Sequence, residues 1–174
     1  PGDPRIMPDK LIIMGIGVTD PAHIKDYTKP RSSGFEWGVD IFRRMMEPFG
    51  WRVETVYFNS KYTYHIDCLM MQIAEGIYAV PEMNPDLGPI WWTDLPKEIA
   101  DKWECIEIPF EEQQSGVCNS VVIGDGKFVM DASCEKTAEI LTKKGYSLVL
   151  VPYQTNWHTF HSGLHCSTCR LWSE

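Results

Sequence analysis

Residues 10–18, Lys-Leu-Ile-Ile-Met-Gly-Ile-Gly-Val, form a continuous apolar run of strand length, the pattern of a strand buried on both faces. A polar stretch follows over 19–34, where Pro21, Pro30, Arg31, Ser32 and Ser33 predict a long loop. Phe35, Trp37, Val39, Ile41, Phe42, Met45 and Met46 then recur at roughly helical spacing among Glu36, Asp40, Arg43 and Arg44. Pro48 and Gly50 end that helix. Residues 51–58, Trp-Arg-Val-Glu-Thr-Val-Tyr-Phe, alternate towards another strand.

From here the pattern repeats. One unit predicts a strand over His65-Ile-Asp-Cys-Leu-Met-Met-Gln-Ile73, a turn at Ala74-Glu75-Gly76 and a strand over 77–80. A helix around 95–103 and a strand at 105–108 closed by Pro109 complete it. The next unit predicts a strand over 119–123, a turn at Gly124-Asp125-Gly126, a strand over 127–130, a helix around 134–144 and a strand over 146–151 closed by Pro152. Both spell strand, tight turn, strand, helix, strand, proline, with glycine where a hairpin needs positive φ, at a period of about fifty residues. Residues 161–172 read as the first strand of a third copy. Equivalent strands of a radially repeated structure bring their ends to one centre, so His65, Asn119 and Cys166, each opening a repeat, are expected to meet.

Composition narrows the setting. At 174 residues and 44% hydrophobic content the chain can bury a real core. A net charge of −8 excludes the broad basic surface that nucleic acid or an anionic membrane requires, leaving small molecules or proteins as expected partners. No apolar run approaches the ~20 residues of a membrane-spanning helix, and the first ten residues lack a charged-then-apolar leader. A soluble, cytoplasmic protein is expected. The six cysteines, Cys68, Cys105, Cys118, Cys134, Cys166 and Cys169, are scattered apart from the last two, so thiols in a reducing compartment are expected rather than a disulfide framework.

The chemistry-bearing residues gather at the end of the chain, in His161-Ser-Gly-Leu-His165-Cys166-Ser-Thr-Cys169. Cys166 stands among glycine and small hydroxyl residues, where a thiolate could be reached by substrate. His65 and Asp67, two apart on one predicted strand, would point to the same face and so address one ligand as acid/base and carboxylate. Asn119 and Asp131 are further polar candidates for the same centre, against the ordinary use of strand-end Asn and Asp in turns. A different reading makes Cys166 and Cys169, spaced as two thiolate ligands, half of a zinc site with His158, His161 and His165. Strand alternation would send His165 and Cys166 to opposite faces, and a second ligand pair is missing, which weighs against zinc.

Gly163-Leu-His-Cys166-Ser-Thr-Cys169 resembles the catalytic cysteine strand of the amidinotransferases, the glycine and inosamine-phosphate amidinotransferase group. His65-Ile-Asp67 resembles their His-x-Asp strand. Phe35-Glu-Trp37 and Phe128-Val-Met-Asp-Ala132 resemble further family segments, so the likeness runs from about Leu11 onward. It implies an α/β fold, a pentein-like αβ-propeller of repeated ββαβ units, with residues 1–174 the C-terminal portion of a single five-bladed domain. The family's triad acid and another guanidinium-gripping carboxylate would fall upstream of Pro1. Where relatives carry an arginine for the substrate's α-carboxylate, this chain has Val80-Pro-Glu-Met-Asn84, and Asn84 cannot make a charged fork.

The resemblance implies an amidinotransferase moving an amidino group from a guanidino donor, L-arginine by analogy, to an acceptor amine. Arginine deiminases and dimethylarginine hydrolases share the Cys and His-x-Asp logic, so a guanidine-group hydrolase is the alternative. The chemistry fits the residues: a delocalised guanidinium carbon is a poor electrophile, which calls for a strong nucleophile, Cys166, and a carboxylate that fixes the group, Asp67. His65 would protonate the departing amine. No metal or organic cofactor is required. The expected partners are a small-molecule donor and acceptor, without nucleic acid or membrane; a homodimer is one assembly the resemblance allows.

Overall fold

The computed structural model describes residues 4–124 and 126–168. They divide into two compact units, one comprising residues up to 67 together with 83–104, the other residues 68–82 together with those from 105 onward.

In the first unit the apolar run is strand β2 (Leu11–Val18), buried on both faces as its composition requires. It pairs antiparallel with β1 (Pro4–Met7) and parallel with β3 (Arg52–Asn59). The connection between β2 and β3 carries α1 (Glu36–Met46), which ends at a short 3-10 turn, Glu47–Phe49, with Gly50 left-handed behind it. Ile12, Ile16 and Val18 of β2 bury with Val39 of α1 and Val53 of β3, and Phe42, Met46, Trp51 and Trp92 pack around them. Four-residue helix α2 (Lys97–Ala100) stands where a longer helix is expected.

The 19–34 loop is tied rather than loose. Arg31, whose side chain is 1% exposed, donates to the carbonyls of His23 and Ile24 at 2.9 and 3.2 Å and pairs with Glu36 in the first turn of α1 at 2.6 Å. The Tyr57 hydroxyl donates to the same Glu36 oxygen at 3.2 Å. Burial, with the Glu36 charge beside it, pushes the Tyr57 hydroxyl up to about 12. One guanidinium thus pins the loop to the start of the crossover helix.

The second unit holds two related sheets. Hairpin β4 (Met71–Ala74) and β5 (Ile77–Pro81) pairs with β6 (Glu104–Ile108); hairpin β7 (Val121–Gly124) and β8 (Lys127–Asp131) pairs with β9 (Ser147–Val151), parallel to β8. The hairpins match residue for residue at an offset of fifty. Met71 faces Ala79 as Val121 faces Val129, and each register slips at the same place, between Gln72 and Ala74 and between Val122 and Gly124. Gly76 and Gly126 turn them at φ 79° and 68°. Helix α3 (Phe110–Gln114) follows β6, α4 (Glu135–Lys143) leads to β9, and α5 (Gln154–Phe160) follows β9. Met71, Ile73, Ile106, Ile108, Phe128, Met130 and Leu141 form one buried cluster.

The expected repeat is therefore present, but its opening segments are not strands. Residues Ile66–Cys68 and Val117–Asn119 are 3-10 helices, and residues 164–167 form a turn. Pairing begins only at Met71 and Val121. The cause is local hydrogen bonding: Asn119 N–H donates to Gly116 O at 3.0 Å, and both the Ser120 N–H and its hydroxyl donate to Val117 O. These polar residues satisfy their neighbours' backbone before a ladder can. Residues 169–172 of the third expected strand lie outside the described residues.

Candidate active site

Cys166 is exposed on the 164–167 turn, and the second unit holds it by hydrogen bonds. The backbone N–H of Cys166 donates to Asn119 Oδ1 at 3.0 Å, and that of His165 donates to the Asn119 carbonyl at 2.7 Å. Within the turn, Ser167 N–H donates to the Gly163 and Leu164 carbonyls, and Thr168 N–H and hydroxyl both donate to His165 O. Asn119 is 0% exposed, so its amide cannot rearrange without cost. Gly163 closes the arrangement, since a Cβ there would meet Asn119 Oδ1 at 2.4 Å.

The other end of the Asn119 amide points at a second sulfur. Its Nδ2 donates to Cys68 Sγ at 3.6 Å, and Cys68 Sγ lies within 4.8 Å of Cys166 Sγ. Cys68 is fully buried, with its carbonyl accepting from Gln113 Nε2 at 2.9 Å. Cys68, Asn119 and Cys166 occupy corresponding places, each on the short turn that opens a repeat. Of the three residues expected to meet, Asn119 and Cys166 do so within this unit. The position corresponding to them is Cys68 rather than His65, which sequence reasoning missed. The signal was available: Gly116-Val-Cys-Asn119 aligns with Gly163-Leu-His-Cys166, and the hairpin offset carries Asn119 back to about Cys68.

His65 and Asp67 lie in the first unit. They do not share a strand. His65 is in a bend, half-buried, its ring 4.8 Å from that of Tyr64, and Asp67 is inside the 3-10 turn Ile66–Cys68 at 2% exposure. The alternation that was to bring both to one face therefore does not apply, because a 3-10 turn rotates each residue by a third of a revolution. What fixes this segment is Arg5, itself 8% exposed, whose Nη2 donates to the Asp67 carbonyl at 2.8 Å. On the other side Ile66 lies so close to β2 that a Cβ at Gly15 would be 2.6 Å from Ile66 Cβ.

Two further candidates have structural work. Asp131 caps the end of β8: Oδ1 accepts from the N–H and hydroxyl of Ser133, and Oδ2 from Tyr153 N–H at 2.7 Å. Burial pulls its carboxyl up, and these bonds together hold it below its ordinary range. Asn84 Oδ1 accepts from Asp86 N–H at 2.9 Å in a turn. The zinc arrangement draws no support among the described residues, where no three-atom ligand group includes His158, His161 or His165; Cys169 lies outside them.

The remaining thiols are poor nucleophile candidates. Burial, with Glu112 and Asp131 nearby, pushes the Cys134 thiol up to about 12, and Cys118 is 1% exposed in the core. Burial pushes Cys105 up as well, with the Tyr78 hydroxyl opposing and Glu107 adding to it. Among the described residues no disulfide is formed.

No protein-family model and no curated protein matches the chain. Solved structures do. An amidinotransferase from Microseira wollei, in the saxitoxin biosynthetic pathway, aligns at TM-score 0.67 and 15% identity over 91% of this chain and 41% of its own. DDAH from Pseudomonas aeruginosa aligns at 0.65 and 16% identity over 94% and 52%. The N-terminal domain of ArgZ, an arginine dihydrolase from the ornithine–ammonia cycle in cyanobacteria, aligns at 0.69 and 16% identity over 98% and 55%.

The chain has the pentein-like α/β fold. The expected fold class and resemblance are both met, and the chain spans about half the length of these structures or less. At such identities the likeness is one of fold, and transferases and hydrolases share it. Among the described residues no helix is long and apolar enough to cross a membrane.

Proposed function

We propose that this chain carries the nucleophile of an amidinotransferase, as the C-terminal portion of a single pentein-like domain. The observation that carries the reading is Cys166 itself: an exposed thiol on a turn whose backbone is held by a buried asparagine, in a fold that serves guanidino chemistry in other proteins. Backbone support orients a nucleophile while leaving its sulfur open to a ligand. The wording Gly163-Leu-His-Cys-Ser-Thr-Cys169 favours transfer over hydrolysis.

In the proposed reaction the Cys166 thiolate attacks the guanidinium carbon of the donor. Asp67, already buried, opposes the guanidinium charge, and His65 gives a proton to the amine that leaves. The product of this half is an amidino group on sulfur, a thiouronium. His65 then takes a proton from the acceptor amine, which attacks the same carbon and releases the thiolate. Both half-reactions use small-molecule partners. The hydrolytic alternative, resting on the same fold in DDAH and ArgZ, replaces the acceptor amine by water.

The test is mass spectrometry of the full-length protein after rapid quench with donor alone. One amidino group is expected on the peptide containing Cys166, removed quickly by an acceptor amine and slowly by water; faster removal by water makes the protein a hydrolase. Cys166→Ala is expected to abolish both adduct and turnover, whereas Cys169→Ser keeps most of each. Folded protein that turns a donor over with no adduct, and only when both substrates are bound, sinks the assignment.

A further inference from the structure

The strongest unassigned feature is the second sulfur beside the proposed nucleophile. Cys68 Sγ and Cys166 Sγ are within 4.8 Å, one side chain fully buried and the other exposed. Three of the other cysteines are unsuited to reaction: Cys118 and Cys134 belong to the core, and burial raises the Cys105 thiol. A disulfide needs its sulfurs at about 2 Å and its Cβ atoms about 4 Å apart. The two sulfurs are therefore unbonded neighbours, and joining them takes a closure of about 3 Å or less. Cys166 is the exposed member of the pair, and its turn is anchored through backbone N–H groups to Asn119. The Asn119 amide spans both cysteines, and would keep its hold on the Cys166 backbone while the sulfur turns inward.

We propose that Cys68 and Cys166 are a redox pair: peroxide joins them as a disulfide, which withdraws Cys166 from the amidino chemistry, and a dithiol releases it. The consequence for activity rests on the function proposed above; the linkage itself does not. The Cys166 thiolate attacks one oxygen of hydrogen peroxide, breaking the O–O bond and releasing hydroxide, and becomes a sulfenic acid. Cys68, giving up its proton, attacks that sulfur and displaces the hydroxyl, which leaves as water. In sum two thiols lose two electrons and two protons, and one peroxide becomes two waters. Reduction runs by attack of a dithiol on the Cys166 sulfur, leaving the reductant as the disulfide. Cys68 also protects: without it the sulfenic acid goes on to sulfinic acid, which a dithiol does not restore.

The experiment uses the full-length protein carrying Cys169→Ser, so that the neighbouring thiol cannot stand in. After mild hydrogen peroxide and alkylation without reduction, the expected digest contains the Cys68 and Cys166 peptides joined, short of two hydrogens, and the join disappears with dithiothreitol. Adding Cys68→Ser is expected to replace it by sulfinic Cys166 and to abolish recovery. Cys166 oxidised while Cys68 alkylates freely in the Cys169→Ser protein overturns the proposal, a result that does not depend on Cys68→Ser folding. Because the readout is a mass, the two ideas separate. A cross-link in protein that never takes up an amidino group keeps the pair and removes the function, while amidino uptake without a cross-link does the reverse.

Discussion

The side-chain Oδ1 of Asn119 accepts the backbone N–H of Cys166 at 3.0 Å, from a residue with no exposed surface. The same residue takes His165 N–H on its own carbonyl at 2.7 Å, so a single buried asparagine receives two consecutive amides of the 164–167 turn. Asn119→Ala removes one of them and leaves a buried space. It should cost about 1–3 kcal/mol, since the bonds of this buried side chain to Cys166 N–H and Cys68 Sγ are lost together. Gly163→Ala attacks the same contact from the other side, because its Cβ would fall 2.4 Å from Oδ1. Both variants are expected to lower the thermal midpoint and slow adduct formation on Cys166 together. A normal adduct rate in a destabilised Gly163→Ala protein would mean that the turn's geometry is irrelevant to the chemistry.

Much of this architecture was legible from pattern. The doubly buried β2, the α1 crossover and the two glycine-turned hairpins followed from continuous apolar runs, helical spacing and φ requirements, which act over a few residues. The opening segments were not legible. Leu69, Met70 and Met71 are all buried, so an apolar run there fits a strand, yet pairing begins only at Met71. Burial dictates composition, while the 3-10 turns at Ile66–Cys68 and Val117–Asn119 depend on hydrogen bonds to particular carbonyls. The place of Cys68 was hidden for the same reason. Its nearness to Cys166 depends on both lying in turns, and the assumption of strands replaced that with alternation between faces.

The loop that leads into α1 should show its anchor in acid. Burial favours the neutral form of Glu36, but the hydrogen bonds and charge of Arg31, with the Tyr57 hydroxyl, outweigh it and hold the carboxyl below its ordinary 4.5. Folding therefore favours the ionised form. The stabilisation is complete above the unfolded value and is lost as the pH falls through the lower folded value. Thermal melts of the parent and Glu36→Gln should differ most near neutrality, with the parent more stable, and converge at acid pH. A gap that stays constant down to low pH would assign the loss to packing rather than to the ion pair. Arg31→Met, stranding Glu36, should be at least as destabilising as Glu36→Gln at neutrality, since the arginine also serves two carbonyls.

Substitutions at His65 and Asp67 are expected to fail in different ways. They do not lie on one strand face, so nothing in their spacing obliges them to act as a pair, and each must be tested by what its own chemistry would do. Asp67 is buried, and its carbonyl is held by the buried Arg5, which fixes the backbone of the 3-10 turn. In the proposed reaction its carboxylate faces the donor's charge in both ground state and transition state. Asp67→Asn keeps the shape and removes the charge, so it should weaken donor binding about tenfold or more, as expected for a hydrogen bond to a charged group, and slow the chemical step as well. His65 is half-buried, and in the proposed reaction it acts on the proton of the amine. His65→Ala should leave donor binding nearly unchanged and slow turnover by roughly 10²–10⁴-fold, the usual range for a positioned acid or base. A donor whose leaving amine needs no proton should recover much of the first half-reaction in His65→Ala but not in Asp67→Asn. The measurement is the single-turnover rate of amidino transfer to Cys166 in the full-length protein across donor concentrations, which splits binding from chemistry. Equal losses in rate and affinity for His65→Ala, with no recovery by the activated donor, would make the histidine a structural residue. The proton would then have to come from another group.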